Sequence, residues 1–236
     1  MGKVIAIAGE MMVGKDEFAK ALINKGFVQG SFAGNLKNMC QVVFGLSDFH
    51  MNTQEGKLKT LNPPIDFDRR KLQKIIEWVK STHSLETSAA ALKEIDRIYV
   101  EEYVQEHKAY KKFTSPREVF QFVGTEICRK ISEDYHAEVL VNKMKKEPEV
   151  NWVITDARFP NERKILKENF DCILVRLKRP GFTPDHLLNS LDKKGQLQPV
   201  VGHVAENSLG TDEEYDQIII NGGTIEDLHQ DALKLS

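Results

Sequence analysis

Cysteine is scarce. The 236 residues hold three, Cys40, Cys128 and Cys172, an odd number with no C-x-x-C pair. That pattern excludes a disulfide framework and a thiolate metal site. It predicts buried small hydrophobes in a reducing, cytoplasmic setting. No run of about 18 apolar residues exists, so a membrane-spanning helix is not expected. A surplus of one charge sign is missing too. With 33 basic and 35 acidic residues the formal net charge is −2, which leaves no electrostatic footprint for duplex nucleic acid. Internal repeats and low-complexity tracts are absent, and the N-terminus enters a strand without a basic leader, which predicts no signal peptide. The length suits one sizeable α/β core, alone or with a small inserted subdomain.

The stretch that organises the chain lies at the N-terminus. Val4-Ile5-Ala6-Ile7-Ala8 is an apolar, β-type run that breaks at Gly9. Four residues follow, then Gly14-Lys15, and a helical pattern begins at Asp16. Strand, glycine loop and helix in this order make a phosphate-binding loop, G-x-x-x-x-G-K. Its backbone N–H groups, from Gly9 through Val13 and Gly14 to Asp16 and Glu17, converge on an anion together with the helix N-terminus. Lys15 reaches the β- and γ-phosphates. The Ser or Thr that commonly follows the lysine is replaced by Asp16-Glu17.

Further along, 27–28 and 31–33 read as a second strand entering a loop, and 36–44 as a helix stopped by Gly45. Residues 46–66 lack periodicity and read as loop. Two amphipathic helices are expected over 67–81 and 84–108, making an inserted helical cap over 58–112. Ser115-Pro116-x-Glu118 is a helix start, with helices to about 124, over 125–131 and over 136–146. Strands are expected at 150–155, 172–177 and 217–220. A long mobile connection covers 178–202, and a terminal helix over 224–234 is capped by Thr224. Alternation of strands and helices predicts an α/β fold: a single domain of the P-loop type over 1–236, its mostly parallel sheet flanked by helices on both faces.

In such sheets ligands bind beyond the carboxyl ends of the strands. A second loop there is Thr155-Asp156-Ala157-Arg158-Phe159-Pro160-Asn161-Glu162. An aspartate ending an apolar strand can hold Mg²⁺ near phosphates, and Arg158 can clamp a phosphate, Glu162 being its alternative ion-pair partner. Arg117, Arg129 and Lys130 surround Gly124-Thr125, a suitable environment for an acceptor that is itself a phosphate. Taken singly, each of these basic residues also fits a solvated helix face.

These pieces resemble the bacteriophage-type deoxynucleoside monophosphate kinases of the P-loop superfamily. The resemblance is carried by Gly-x4-Gly-Lys15-Asp16, Ser31-Phe32-Ala33-Gly34-Asn35-Leu36-Lys37, Ser115-Pro116-Arg117 through Gly124-Thr125-Glu126 to Arg129, and Thr155 to Glu162. Later pieces are His203-Val204-Ala205-Glu206 and Tyr215-Asp216 through Ile220-Asn221 to Gly223-Thr224. The resemblance implies transfer of the γ-phosphoryl group of ATP, with Mg²⁺, to a deoxynucleoside 5′-monophosphate in the cytoplasm, the host's if the chain is phage-encoded. It implies Lys15, Arg129, Asp156 and Arg158 in the catalytic machinery and Asp16 with Asp156 at the metal. Arg117, Gly124, Thr125, Arg129, Arg158 and Glu162 fall to the acceptor, and His136 and Phe159 are candidate neighbours of it. His136 also fits a core or helix-face role. A homodimer is compatible with the pattern. A P-loop kinase for another phosphorylated small molecule, such as phosphomevalonate, and a non-catalytic ATP-binding protein are the alternatives. Two departures from the family pattern stand out: Glu17 where threonine is usual, and no tryptophan near His136.

Overall fold

The structure is a computed structural model that describes residues 2–10, 12–82, 93, 111–181, 189–191, 197–199 and 208–236. The chain forms two compact units, Met1–Phe32 with Leu140–Ser236, and Ala33–Val139. The second unit contains the stretch 58–112.

The first unit is built on a five-stranded sheet in the order β2-β5-β1-β6-β9. Its strands are β1 (Val4–Ala8), β2 (Val28–Gly30), β5 (Trp152–Ile154), β6 (Cys172–Lys178) and β9 (Gln217–Ile220), and every pairing is parallel. β1 is central and buried at all five positions. That explains its unbroken apolar run, because a parallel strand covered on both faces has no polar side. Ile5 and Ile7 pack with Val153, Val175 and Leu177 against Phe18 and Leu22 of α1 (Lys15–Ile23) and Leu228 of the C-terminal helix α10 (Ile225–Leu233). Each fully buried side chain of this size contributes about 1.5–3 kcal/mol. The alternate residues, Val4, Ala6 and Ala8, are also buried, and α9 (Pro160–Asn169) packs on β6. The mostly parallel sheet expected with helices on both faces is therefore present. An antiparallel pair, β7 (Asn189–Leu191) with β8 (Leu197–Pro199), lies within the stretch read as a loop.

The second unit contains α2 (Phe32–Phe44) beyond its first residue, α3 (Asp48–Asn52), α4 (Gln54–Leu58), the hairpin β3 (Ile65–Phe67) with β4 (Lys111–Phe113), and α5 (Arg69–Thr82). Next comes α6 (Pro116–Gln121), which runs through a π-helical stretch (Phe122–Cys128) into the short turn α7 (Arg129–Ile131). α8 (Tyr135–Lys145) leads back to the sheet. Phe44, Phe67, Phe113 and Phe122 form its aromatic centre, with Phe67 and Phe122 meeting edge-on at 5.1 Å.

Several expectations are corrected here. Residues 31–33 do not extend the second strand, because Phe32 already opens α2. Residues 46–66 hold α3, α4 and the start of β3; helices of five residues are too short to show a period. Phe67 ends a strand rather than opening a helix. The helices expected on either side of Gly124 are one continuous helix with a π-helical middle. The helix expected over 84–108, most of 178–202, and His203 to Glu206 lie outside the described residues.

Candidate functional site

The parallel register places two loops side by side at the carboxyl edge of the sheet. Ala6 of β1 stands opposite Ile154 of β5, so the chain leaves β1 at Gly9 next to where it leaves β5 towards Asp156. This is where an open parallel sheet binds ligands.

The first loop has the backbone of a phosphate cradle. Gly9 has φ 152° and Gly14 φ 100°, values that side chains disfavour, and Met12 accepts φ 63° at the crest. A Cβ on Gly9 would come within 2.5 Å of the Leu177 carbonyl of β6, so only glycine lets the loop lie this close to the sheet. Lys15 is buried and its Nζ donates to the Gly9 and Glu10 carbonyls at 2.9 and 2.5 Å. Asn221, at the end of β9, donates from Nδ2 to the Val13 carbonyl at 2.9 Å. Three loop carbonyls, those of Gly9, Glu10 and Val13, are thus taken up by the Lys15 ammonium and the Asn221 amide. A cavity of about 460 Å³ adjoins the loop, its wall including Met12, Lys15, Arg179, Asn221, Ile225 and Leu228. That volume is within the range of small-molecule sites.

Asp16 is exposed and Glu17 half-buried in the first turn of α1. The Glu17 carboxylate pairs with Lys20, and its other oxygen lies 3.7 Å from His229 Nε2 on α10. The Lys20 hydrogen bond holds the Glu17 carboxyl below its usual range. The acidic side chain that stood out in the sequence is therefore engaged by a cation and an imidazole.

The second loop is fastened by hydrogen bonds within it and to other segments. Asp156 accepts from Ser31 Oγ at 2.7 Å and from the Phe32 N–H at 3.0 Å, capping α2 from another strand. Gly30 pairs with Ile154, which sets this contact by register. Glu162 is buried and accepts from the N–H groups of Arg158 and Phe159, both at 3.0 Å, so the described contacts make it a cap for α9. Arg163, which the sequence reading passed over, is 3% exposed. It donates to the Arg158 carbonyl at 2.7 Å, to the Ser208 carbonyl at 3.2 Å and to the Glu214 carboxylate, and lies over the Tyr215 ring.

The remaining candidates lie in the second unit. Arg117 and Thr125 are exposed and Arg129 half-buried, its Nη1 reaching the Glu133 carbonyl at 3.5 Å. Gly124 is buried inside the π-helical stretch, where a Cβ would meet Leu36 at 2.9 Å. His136 is buried with Nε2 3.2 Å from the Gly124 carbonyl. The glycine is explained by close helix packing and the histidine is built into the same contact. Beside it the Tyr135 hydroxyl takes part in hydrogen bonds with Asn35 and Thr82, and burial pushes its pKa up to about 12.

Among the described residues no three His, Cys, Asp or Glu side chains cluster as a metal cage. Mg²⁺ bound to a nucleotide needs only one or two carboxylates, the rest of its shell being phosphate and water. Asp16 is exposed in the first turn of α1, whereas both carboxylate oxygens of Asp156 accept hydrogen bonds from Ser31 and Phe32. Arg163, Arg179 and Asn221 are what the sequence reading missed as site residues. The available signals were Asn221's place after an apolar strand, which read as a turn, and its inclusion in the motif from Tyr215 to Thr224 that carries the resemblance.

A protein of Acanthamoeba polyphaga mimivirus, named as a deoxynucleotide monophosphate kinase, is 25% identical over 244 residues, covering 98% of this chain and 94% of the viral one. The deoxynucleoside-5′-monophosphate kinase of Escherichia phage T5 is 26% identical over 198 residues, covering 75% of this chain and 78% of its own length. The chain is a homologue of viral deoxynucleoside monophosphate kinases. No protein-family profile matches it. Among solved structures, a sugar kinase from Janibacter sp. HTCC2649 covers the whole chain with TM-score 0.42 and 11% identity, and the dephospho-CoA kinase of Campylobacter jejuni does so with 0.40 and 16%. The α/β assignment stands on the sheet order and the cradle themselves. Among the described residues no helix is long and apolar enough to cross a membrane.

Proposed function

We propose that this chain is an ATP-dependent deoxynucleoside monophosphate kinase, moving the γ-phosphoryl group of ATP to the 5′-phosphate of a deoxynucleotide to give a deoxynucleoside diphosphate and ADP. The observation that carries the reading is the cradle of Gly9 to Lys15, preorganised at the carboxyl edge of an all-parallel sheet. Similarity to viral proteins of that name over 98% and 75% of the chain supports it.

Phosphoryl transfer asks for alignment and charge neutralisation rather than a covalent relay. In this reading the cradle N–H groups and Lys15 hold the donor phosphates, and the adjoining apolar wall of Met12, Ile225 and Leu228 suits the donor's base. Asp16 and Asp156 are the carboxylates for Mg²⁺, which supplies neutralisation of phosphate charge when bound. Arg158 and Arg129 stabilise the transferring group. Arg117 fixes the acceptor phosphate, with Thr125 and the region around Gly124 and His136 lining its site. Glu162 serves by holding the backbone from which Arg158 projects.

The test is ADP release from ATP with each of the four dNMPs, AMP and phosphomevalonate as acceptor. Stimulation by at least one dNMP well beyond AMP and phosphomevalonate is expected. Stimulation by phosphomevalonate alone would assign another small-molecule kinase, and ATP binding without any acceptor effect would assign a non-catalytic nucleotide binder.

A further inference from the structure

The side chain of Asn221 spans 208 positions of sequence to reach the phosphate cradle, donating from Nδ2 to the Val13 carbonyl at 2.9 Å. It is held where it can do so. Its own N–H donates to the Lys178 carbonyl at 2.7 Å, extending the β6–β9 pairing by one step beyond Ile220. The amide also lies against the next residue of the loop: a Cβ on Gly14 would be 2.7 Å from Nδ2. Asn221 lines the same cavity as Lys15.

The geometry of a peptide unit gives this contact a consequence. In a trans, planar peptide the C=O and the following N–H point in opposite directions. Fixing the Val13 carbonyl towards Asn221 therefore aims the Gly14 N–H the other way, and a phosphate cradle works only if its N–H groups converge. Gly14 is the loop position with most freedom to turn that peptide over, having no side chain and φ 100°. The Lys15 ammonium donates to the neighbouring carbonyls of Gly9 and Glu10.

We propose that Asn221 is a positioning residue for the donor nucleotide: it clamps the Val13–Gly14 peptide so that the Gly14 N–H faces the phosphates. The inference rests on the reading of Gly9 to Lys15 as a nucleotide-phosphate site. The experiment uses the full chain, with ATP in the presence of Mg²⁺, and the variant Asn221→Leu, which keeps the volume and removes the donor.

The expected result is a Kd for ATP raised about tenfold, or about 1.4 kcal/mol, the range for a carbonyl that loses its partner. The KM for the deoxynucleotide acceptor stays within about twofold. In ¹⁵N-glycine-labelled protein, ATP shifts the Gly14 amide resonance of the wild type strongly downfield, and that shift is lost in N221L. An unchanged ATP affinity overturns the proposal. So does weakened affinity with the Gly14 shift intact, because the asparagine would then act by packing alone. If N221L does not melt cooperatively, Asn221→Asp at pH 8, equal in size and unable to donate, is read by the same resonance. Failure of the wild type to bind ATP would instead remove the phosphate-site reading.

Discussion

At the scale of single residues, the site divides into side chains that hold the loops and side chains positioned to act from them. Lys15 belongs to both groups, since its ammonium bridges two loop carbonyls from a buried position at the cradle. Lys15→Met keeps the stem and removes the charge, and is expected to lower kcat at least about 100-fold, the scale of losing one preorganised electrostatic contact, while the far-ultraviolet spectrum is kept. Turnover within about threefold of wild type would take Lys15 out of the mechanism. Glu17 is expected to behave in the opposite way. Its carboxylate is already engaged by Lys20 and lies near His229, so Glu17→Thr should leave both the KM for ATP and the Mg²⁺ titration unchanged. A shifted metal titration would show that the carboxylate reaches the metal after all.

At the scale of elements, the loop from Thr155 to Glu162 is tied to a distant segment through Arg163. One guanidinium serves two backbone carbonyls and a carboxylate that is 41% exposed. Arg163→Met leaves Glu214 free to rehydrate but strands the Arg158 and Ser208 carbonyls. The expected cost is about 2–4 kcal/mol, or about 5–15 °C in melting temperature for a chain of this size. A melting curve that overlays wild type would show that other groups fasten the loop. Nothing in the sequence marks Arg163 apart from any other basic residue on a helix, because two of its partners, Ser208 and Glu214, are 45 and 51 positions away. The same holds for the start of α2, which Asp156 caps from the end of the neighbouring strand β5. What was legible was local: the β1 run and the glycine loop, the cap at Ser115 with Pro116, and Thr224 before the last helix. The π-helical stretch escaped because Gly124 reads as a break, whereas packing against Leu36 explains the glycine and the helix carries on through it.

At the scale of the whole molecule, helix starts contribute to the pH dependence of stability. Backbone N–H groups of Thr114, Thr211 and Thr224 hold the carboxyls of Glu118, Glu214 and Asp227 below their ordinary values of 4.5, 4.5 and 3.8. Folding favours the ionised form of each. Their contribution is therefore present above those values and is lost as pH falls through the lower folded-state values. Urea midpoints are expected to be flat from about pH 5 upward and to fall below about pH 4.5. A midpoint that already declines between pH 7 and 5 would point to other groups.

The three cysteines give a reading of how far stability is shared between the two units. All are buried, and burial pushes the thiols of Cys128 and Cys172 up to about 12 and Cys40 further in the same direction. Each should react with a thiol reagent only after its surroundings open. Cys172 lies on β6 in the unit that carries the cradle, whereas Cys40 and Cys128 lie in the inserted unit, within a separate apolar cluster. A ligand that binds only the folded cradle at 100 times its Kd stabilises by about 2.7 kcal/mol. ATP should therefore slow labelling of Cys172 by about 100-fold and that of Cys40 and Cys128 by clearly less, as read by mass spectrometry of the labelled peptides. Equal slowing at all three sites would show that the units open together despite their separate cores. No slowing at Cys172 would show that ATP does not stabilise the unit in which the cradle is built.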